Sequence, residues 1–343
     1  MQPHFFSKYH EFHPFLPDEQ ARSLVDLCEK FGSYGLYSEE SLNNGIGEGL
    51  PQRFDAAFNF IKSGGRFGRS HEDLATLAAR TNYFRETYAY GDEIAAPGIE
   101  AFYRNEELIE QAKKVFDRPI VEPAIVYANI LLPGQELAIH TDVPEFRGIN
   151  RKLHPQWMLV VMHHSGLFDS WRMPIATSVS WYQDTEGGAF AFYPGGADEP
   201  ARAHPVRFNS AVIMDTDSLF HGVDRVRELE SPMPAFRSGM RLQALGAGRW
   251  VVLDGEEEVG HYAWDEMRFS LSWKAYCFED DADKERWQRH SEDLKLETVL
   301  DTLCEDLHSR GRLDKGPRPP NRELAELLVN EYIEFPTAQT TEA

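Results

Sequence analysis

The stretch Ala138 to Gly148, AIHTDVPEFRG, places His140 and Asp142 two residues apart, directly after a run that reads as a strand. Side chains of a strand alternate between its faces, so residues i and i+2 point the same way and can share one ion. Alone, His-x-Asp is a common strand ending, and two donors do not hold a metal firmly. His221 in SLFHGVDRV supplies a third donor at another strand end, 221 − 140 = 81 residues downstream.

Two imidazoles and one carboxylate on one face of a metal leave three positions free, the arrangement of non-haem Fe(II) oxygenases. The same donors can hold zinc with an open position, as in a hydrolase or a non-catalytic cupin-like binding protein. A bidentate 2-oxo acid in the free positions needs a distal cation for its other carboxylate. RFSLSW meets that need, because Arg268 and Ser270 share a strand face and can grip a carboxylate together. A hydrolytic zinc site has no use for such an anchor. Without the histidines, Arg268 reads as a surface ion-pair residue.

The elements that must position these groups change character along the chain. LPDEQARSLVDLCEKFG reads as a helix with Asp18 as N-cap and Gly32 as C-terminal stop. Tyr34 to Arg69, with NNGIGEG and SGGRFGR, reads as loop, and helical signals return at Glu72 to Tyr90 and at Glu106 to Phe116 behind an Asn105 cap. From Pro119 short β-rich runs alternate with turns: IVEPAIVYANILL, LAIHTD, QWMLVVMHH as a strand buried on both faces, ATSVSWYQ, GGAFAFYPGG, PVRFNSAVIMDT, a hairpin on Asp254-Gly255, and MRFSLSWKAYCF. LETVLDTLCEDLHSRG and NRELAELLVNEYI close the chain as amphipathic helices.

The pieces PGQELAIHTD, GGAFAFYPGG, FNSAVIMDTDSLFHGVDRV and RFSLSW, in this order, resemble the Fe(II)- and 2-oxoglutarate-dependent oxygenases. The resemblance implies an α+β fold: a double-stranded β-helix (jelly-roll, cupin-like) core at 119–278 in a single domain spanning 1–343. A mainly helical part, 1–118, precedes this core, and helices and a tail follow at 279–343. It implies iron ligands His140, Asp142 and His221, with Arg268 and Ser270 on the distal carboxylate of 2-oxoglutarate. Tyr127 and Asn129, at i and i+2 on the preceding strand, are at positions that often touch the co-substrate in that family. The interval 268 − 221 = 47 residues is longer than the family usually spends, so an insertion is expected there, with Arg241 as the fallback anchor. Related halogenases carry a small residue where Asp142 stands, so its carboxylate points to hydroxylation or another hydrogen abstraction. The implied activity consumes O2 and 2-oxoglutarate and oxidises a C–H bond of a small molecule, such as an amino acid or natural-product intermediate. Oxidation of a protein or peptide side chain is the lesser option.

Composition narrows the partners. Lys plus Arg number 35 against 56 Asp plus Glu, a net charge of −21, so nucleic acid and anionic membranes are repelled. The longest apolar runs fall short of a membrane span, and MQPHFFSKYHEFHPF lacks a signal-peptide layout, so a cytoplasmic protein is expected. Cys28, Cys277 and Cys304 read as reduced core thiols. His154, His204 and His261 read as exposed loop histidines, and His163 and His164 as pointing to opposite strand faces, with His164 a candidate at the barrel mouth. VPEFRGINRKLHPQW, beginning inside the opening stretch, is a polar loop whose Arg147, Arg151 and Lys152 are candidates for a substrate carboxylate. Trp157, Trp181 and Tyr182 read as core. The oligomeric state has no signature in the sequence.

Overall fold

The β-rich middle of the chain forms two principal antiparallel sheets in the computed structural model, which describes residues 9–37, 45–63, 81–229 and 233–336. Among the described residues the larger sheet has eleven strands. At its heart lies Arg268–Phe278, paired with Ile120–Leu131 on one side and Ile175–Trp181 on the other. Ser210–Met214 and Tyr9–Phe12 continue the sheet beyond Ile175–Trp181. Beyond Ile120–Leu131 lie Tyr83–Tyr90, Ser33–Tyr37 and the strands Arg241–Gly246, Arg249–Asp254 and Glu257–Ala263. The smaller sheet runs Arg202–His204, Phe190–Phe192, His221–Val223, Leu137–His140.

The period-two pattern of Arg268–Phe278 explains its central place. Phe269, Leu271, Trp273, Ala275 and Cys277 are buried in the main core, with Leu24 and Leu27 of the Asp18–Phe31 helix and Leu108 and Ala112 of Glu106–Phe116. The alternate residues Arg268, Ser270, Ser272 and Lys274 line a cavity shared with the smaller sheet. Trp181, Val212 and Met214 pack against Phe190 and Phe192 to hold the sheets together. Gly222, beside His221, permits close approach of the next strand, since a Cβ there would lie 2.7 Å from the Leu137 carbonyl oxygen.

The interval between His221 and Arg268 holds three strands that extend one end of the larger sheet, with a hairpin turning at Gly255 (φ 64°). Asn105 caps the Glu106–Phe116 helix by accepting from the Leu108 N–H, as its position predicts. The final helices are Leu296–Ser309 and Asn321–Tyr332.

Several expectations are corrected. QWMLVVMHH is not a strand but most of the helix Gln156–Ser165, in which every residue from Trp157 to Met162 is at most 1 % exposed. The C-terminal helices share its core, so no side of it needs to be polar, and without a polar face the helical period vanishes from the sequence. His163 and His164 are therefore successive helix positions rather than opposite faces of a strand. Tyr83–Tyr90 is a strand, not the end of a helix; the 72–80 part of that helical reading lies outside the described residues, as do most of SGGRFGR and part of NNGIGEG. The region read as loop holds the strand Ser33–Tyr37 and the helix Phe54–Ser63. Among the described residues the part before 119 thus carries strands as well as helices. Asp18 is the first helical residue behind Pro17, with no side-chain cap, while Gly32 ends the helix at φ 80° as expected. His204 is not exposed but buried on a strand, stacked on Trp181, and His261 lies on an exposed strand rather than in a loop.

Candidate metal centre and anion pocket

His140 ends the strand Leu137–His140 and stands directly opposite His221 in the cross-strand register. Asp142 follows just past the strand, where its N–H donates to the Thr216 carbonyl at 2.8 Å. One donor atom from each of His140, Asp142 and His221 lies within 4.8 Å of the others. Asp142 Oδ1 is 3.7 Å from His140 Nε2 and 3.7 Å from His221 Nε2. Nδ1 of His140 is 2.7 Å from the Ala138 carbonyl and Nδ1 of His221 is 2.8 Å from that of Leu219. A carbonyl only accepts, so each Nδ1 carries a proton, and in the neutral tautomer this fixes Nε2 as the nitrogen whose lone pair faces the centre.

The charges suit a cation. Burial, then the neighbouring His221, holds the His140 imidazole below its usual range and keeps it neutral. Burial works to raise the Asp142 carboxyl, but the Lys274 ammonium and the two imidazoles outweigh it and hold it well below the usual range. Lys274 Nζ donates to Asp142 Oδ2 at 2.6 Å and to Thr177 Oγ1 at 2.9 Å. One carboxylate oxygen is thereby engaged by the lysine, and the other faces the imidazoles. Arg53 reaches the backbone between the ligands, donating to the Thr141 carbonyl at 2.8 Å while paired with the buried Asp55 at 2.9 Å.

Beside the triad a cavity of about 100 Å³ is lined by Tyr127, Asn129, Arg268, Ser270 and Lys274. Arg268 is 2 % exposed. Its Nε donates to the Gly188 carbonyl at 2.7 Å and its Nη1 to Ser270 Oγ at 3.2 Å, while Nη2 is buried without a hydrogen-bond partner. Burial, offset only in part by Asp224, pushes the guanidinium down to about 9. Gly188 makes room for this arginine: at φ +63° it carries no Cβ, which would lie 2.8 Å from Arg268 Cδ. A buried cation with a free donor is the complement of a carboxylate.

The structure thus brings His140, Asp142, His221, Arg268, Ser270, Tyr127 and Asn129 to one pocket. Arg241 is not part of it; it is half exposed on the strand Arg241–Gly246, bonded to Ser33 and Glu86, so the fallback anchor is set aside. A second cavity of about 470 Å³ opens beside His140 and Asp142, and Arg151 is on its wall. Arg147 is not on it: its guanidinium is buried, donating to the Ser170 carbonyl at 2.7 Å near Asp283. Nor is His164, whose ring packs on Phe220 and whose Nε2 is 3.4 Å from Thr141 Oγ1; burial lowers it to about 4. Lys152 lies against Tyr90 at the surface. Sequence reasoning missed Lys274, although it continues the i, i+2 series of Arg268, Ser270 and Ser272, and it missed Arg53 and Arg85.

No protein-family model matches the chain, and no curated protein does. Solved structures similar to it bear the names of 2-oxoglutarate/iron oxygenases. A prolyl-4-hydroxylase of Pseudomonas putida aligns over 79 % of this chain and 93 % of its own, at 11 % identity and TM-score 0.37. The non-haem α-ketoglutarate-dependent carbocyclase SnoK from nogalamycin biosynthesis aligns over 79 % and 80 %, at 10 % identity and TM-score 0.42. HygX of Streptomyces hygroscopicus, with nickel, 2-oxoglutarate and hygromycin B bound, aligns over 79 % and 84 %, at 11 % identity and TM-score 0.39.

Proposed function

We propose that this chain is a non-haem Fe(II)- and 2-oxoglutarate-dependent oxygenase whose two facing sheets form a double-stranded β-helix, and that it hydroxylates an unactivated C–H bond of a small molecule. One observation carries the reading: three metal donors converge in the same pocket as a buried arginine with an unpartnered nitrogen. The residues fit both groups. Neutral imidazole nitrogens and one free carboxylate oxygen suit Fe(II), and Arg268 with Ser270 suits the distal carboxylate of 2-oxoglutarate.

When bound, the iron and 2-oxoglutarate supply the oxidising chemistry, with O2 consumed and succinate and CO2 formed. The chain's residues do the rest. His140 and His221 present Nε2 because their Nδ1 protons are held by backbone carbonyls. Lys274 engages Asp142 Oδ2, leaving Oδ1 to the centre. Asp142 itself occupies the position that halide chemistry needs empty, which favours hydroxylation. Arg268 and Ser270 fix the co-substrate's far end, and the pocket walls, including Leu131, Val179 and Phe190, keep bulk water out. The 470 Å³ cavity falls within the usual range for a small-molecule site, which favours a small molecule over a peptide segment.

The test is anaerobic addition of Fe(II) and 2-oxoglutarate. A visible charge-transfer band is expected, followed in air by slow conversion of 2-oxoglutarate to succinate. A featureless spectrum, together with no succinate across a broad substrate panel, overturns the reading.

A further inference from the structure

The larger cavity is a cationic one in an acidic protein. Three of its cations already face a carboxylate: Arg53 with Asp55 at 2.9 Å, Arg151 with Glu145 at 3.7 Å, and Lys274 with Asp142 at 2.6 Å. The fourth, Arg85, has no carboxylate partner among the described residues. It lies on the Tyr83–Tyr90 strand, in register with Asn129 and through it with Ser270, and lines both the small cavity and the larger one. Its guanidinium carbon is 3.3 Å from the Tyr127 ring centroid and 4.8 Å from that of Tyr37. The Tyr83 side chain hydrogen-bonds part of the guanidinium's edge, and stacking between two rings holds the plane so that the rest of that edge can meet a planar anion.

One stretch of the remaining wall is apolar. Phe60, Ala56 and Ala57 of the helix Phe54–Ser63 line it, and Ile61, 63 % exposed, continues it. A large aliphatic side chain left in solvent beside a cavity is ready to be covered by an apolar ligand. The co-substrate does not supply the missing counter-charge, since its far carboxylate is claimed by Arg268 in the enclosed pocket.

We propose that the substrate is an organic anion: its carboxylate, or a comparable oxyanion, binds Arg85 between Tyr37 and Tyr127, and its apolar body lies along the Phe54–Ser63 helix. Arg85 then serves as a substrate-binding and specificity residue, and the bond to be oxidised is held at a fixed reach from the anion. The assignment of this cavity to substrate rests on the oxygenase reading above.

The experiment uses the full chain loaded anaerobically with Mn(II) and 2-oxoglutarate. Phenylacetate, 3-phenylpropionate, 4-phenylbutyrate and benzylphosphonate are titrated by calorimetry, and each carboxylate is compared with its neutral amide. At least one carboxylate is expected to bind about tenfold or more tightly than its amide, the scale of one charge-assisted contact. Tighter binding of the phosphonate than of any carboxylate identifies the oxyanion as a phosphate-type group and supports the same site. Arg85→Met removes the preference for the acid and Arg85→Lys restores part of it, while 2-oxoglutarate affinity stays unchanged in both. A purely structural Arg85 would lower thermal stability and leave the acid-to-amide ratio alone. The inference is overturned if acids and amides bind alike, if the preference survives Arg85→Met, or if the acids compete with 2-oxoglutarate. Weakened 2-oxoglutarate binding in Arg85→Met, with none in Arg268→Met, instead strikes at the oxygenase reading's anchor.

Discussion

Replacing Arg268 by methionine should move binding and stability in opposite directions. The guanidinium is 2 % exposed and held at about 9 against its ordinary 12.5. At about 1.36 kcal/mol per pH unit, that drop corresponds to about 5 kcal/mol of charge burial. The 2.7 Å bond to the Gly188 carbonyl and the longer 3.2 Å bond to Ser270 Oγ return about 3 kcal/mol together. Methionine fills similar space without the charge, so the metal-free variant should gain about 2 kcal/mol. With an unfolding entropy of about 2.1 cal/mol/K per residue over 343 residues, the gain is about 3 °C in Tm. The variant should at the same time lose about 3 kcal/mol of 2-oxoglutarate binding, about two decades in Kd, as one partner of a buried charge pair disappears. Differential scanning calorimetry of the metal-free protein and anaerobic titration of the charge-transfer band read the two effects separately. A variant that melts lower than wild type while binding 2-oxoglutarate equally well would refute the reasoning, for Arg268 would then be an ordinary structural cation.

Three further outcomes follow from the same contacts. Lys274→Met leaves Asp142 without its counter-ion and should cost the metal-free protein about 2–3 kcal/mol, below the range for a fully buried pair because Asp142 is partly exposed; Mn(II) should then raise Tm more in the variant than in wild type, and equal rises would sink the idea. His221→Ala removes one of three donors, so the visible spectrum of anaerobically added Co(II) should vanish or change coordination type while the circular dichroism spectrum is kept; an unaltered Co(II) spectrum counts against the centre. Asp217 is fully buried, and burial, offset in part by Arg172 at 3.6 Å, raises its carboxyl to about 7, so below that pH it stays protonated in the folded chain where the unfolded chain has already ionised near 3.8. Stability is therefore lost as pH rises from about 4 to 7, and Asp217→Asn should match wild type at pH 4 and exceed it at pH 8 in urea titrations, whereas parallel curves would contradict the assignment.

What the sequence revealed depended on whether a residue's neighbours carried a period. His140 with Asp142, and Arg268 with Ser270, were legible because a strand repeats every two residues and each pair sits on one. Lys274 obeys the same period but was passed over, because a lysine beside an aromatic run reads as a solvent-facing break until its carboxylate partner, 132 residues away in sequence, is in place. Arg85 was hidden by a misread element: within a helix its spacing carried no meaning, and as part of Tyr83–Tyr90 it joins the row of Asn129 and Ser270. Gln156–Ser165 failed for the opposite reason, since a helix buried on every side has no amphipathic pattern to detect. Arg147 and His164 carry suitable chemistry but pack away from the cavity, and only tertiary contacts could have excluded them.

The strands that carry both histidines are short, four residues in Leu137–His140 and three in His221–Val223, and their register shifts just after the His140–His221 pair. A ladder with so few hydrogen bonds opens locally at a lower free energy than the eleven-stranded sheet behind it. An ion gripped by both histidines closes a loop of 221 − 140 = 81 residues and acts as a cross-link there. Loading the centre should therefore slow amide hydrogen exchange in the small sheet far more than in the large one. To a protease, the empty protein is a firm wall with one loose panel, and the metal is the latch.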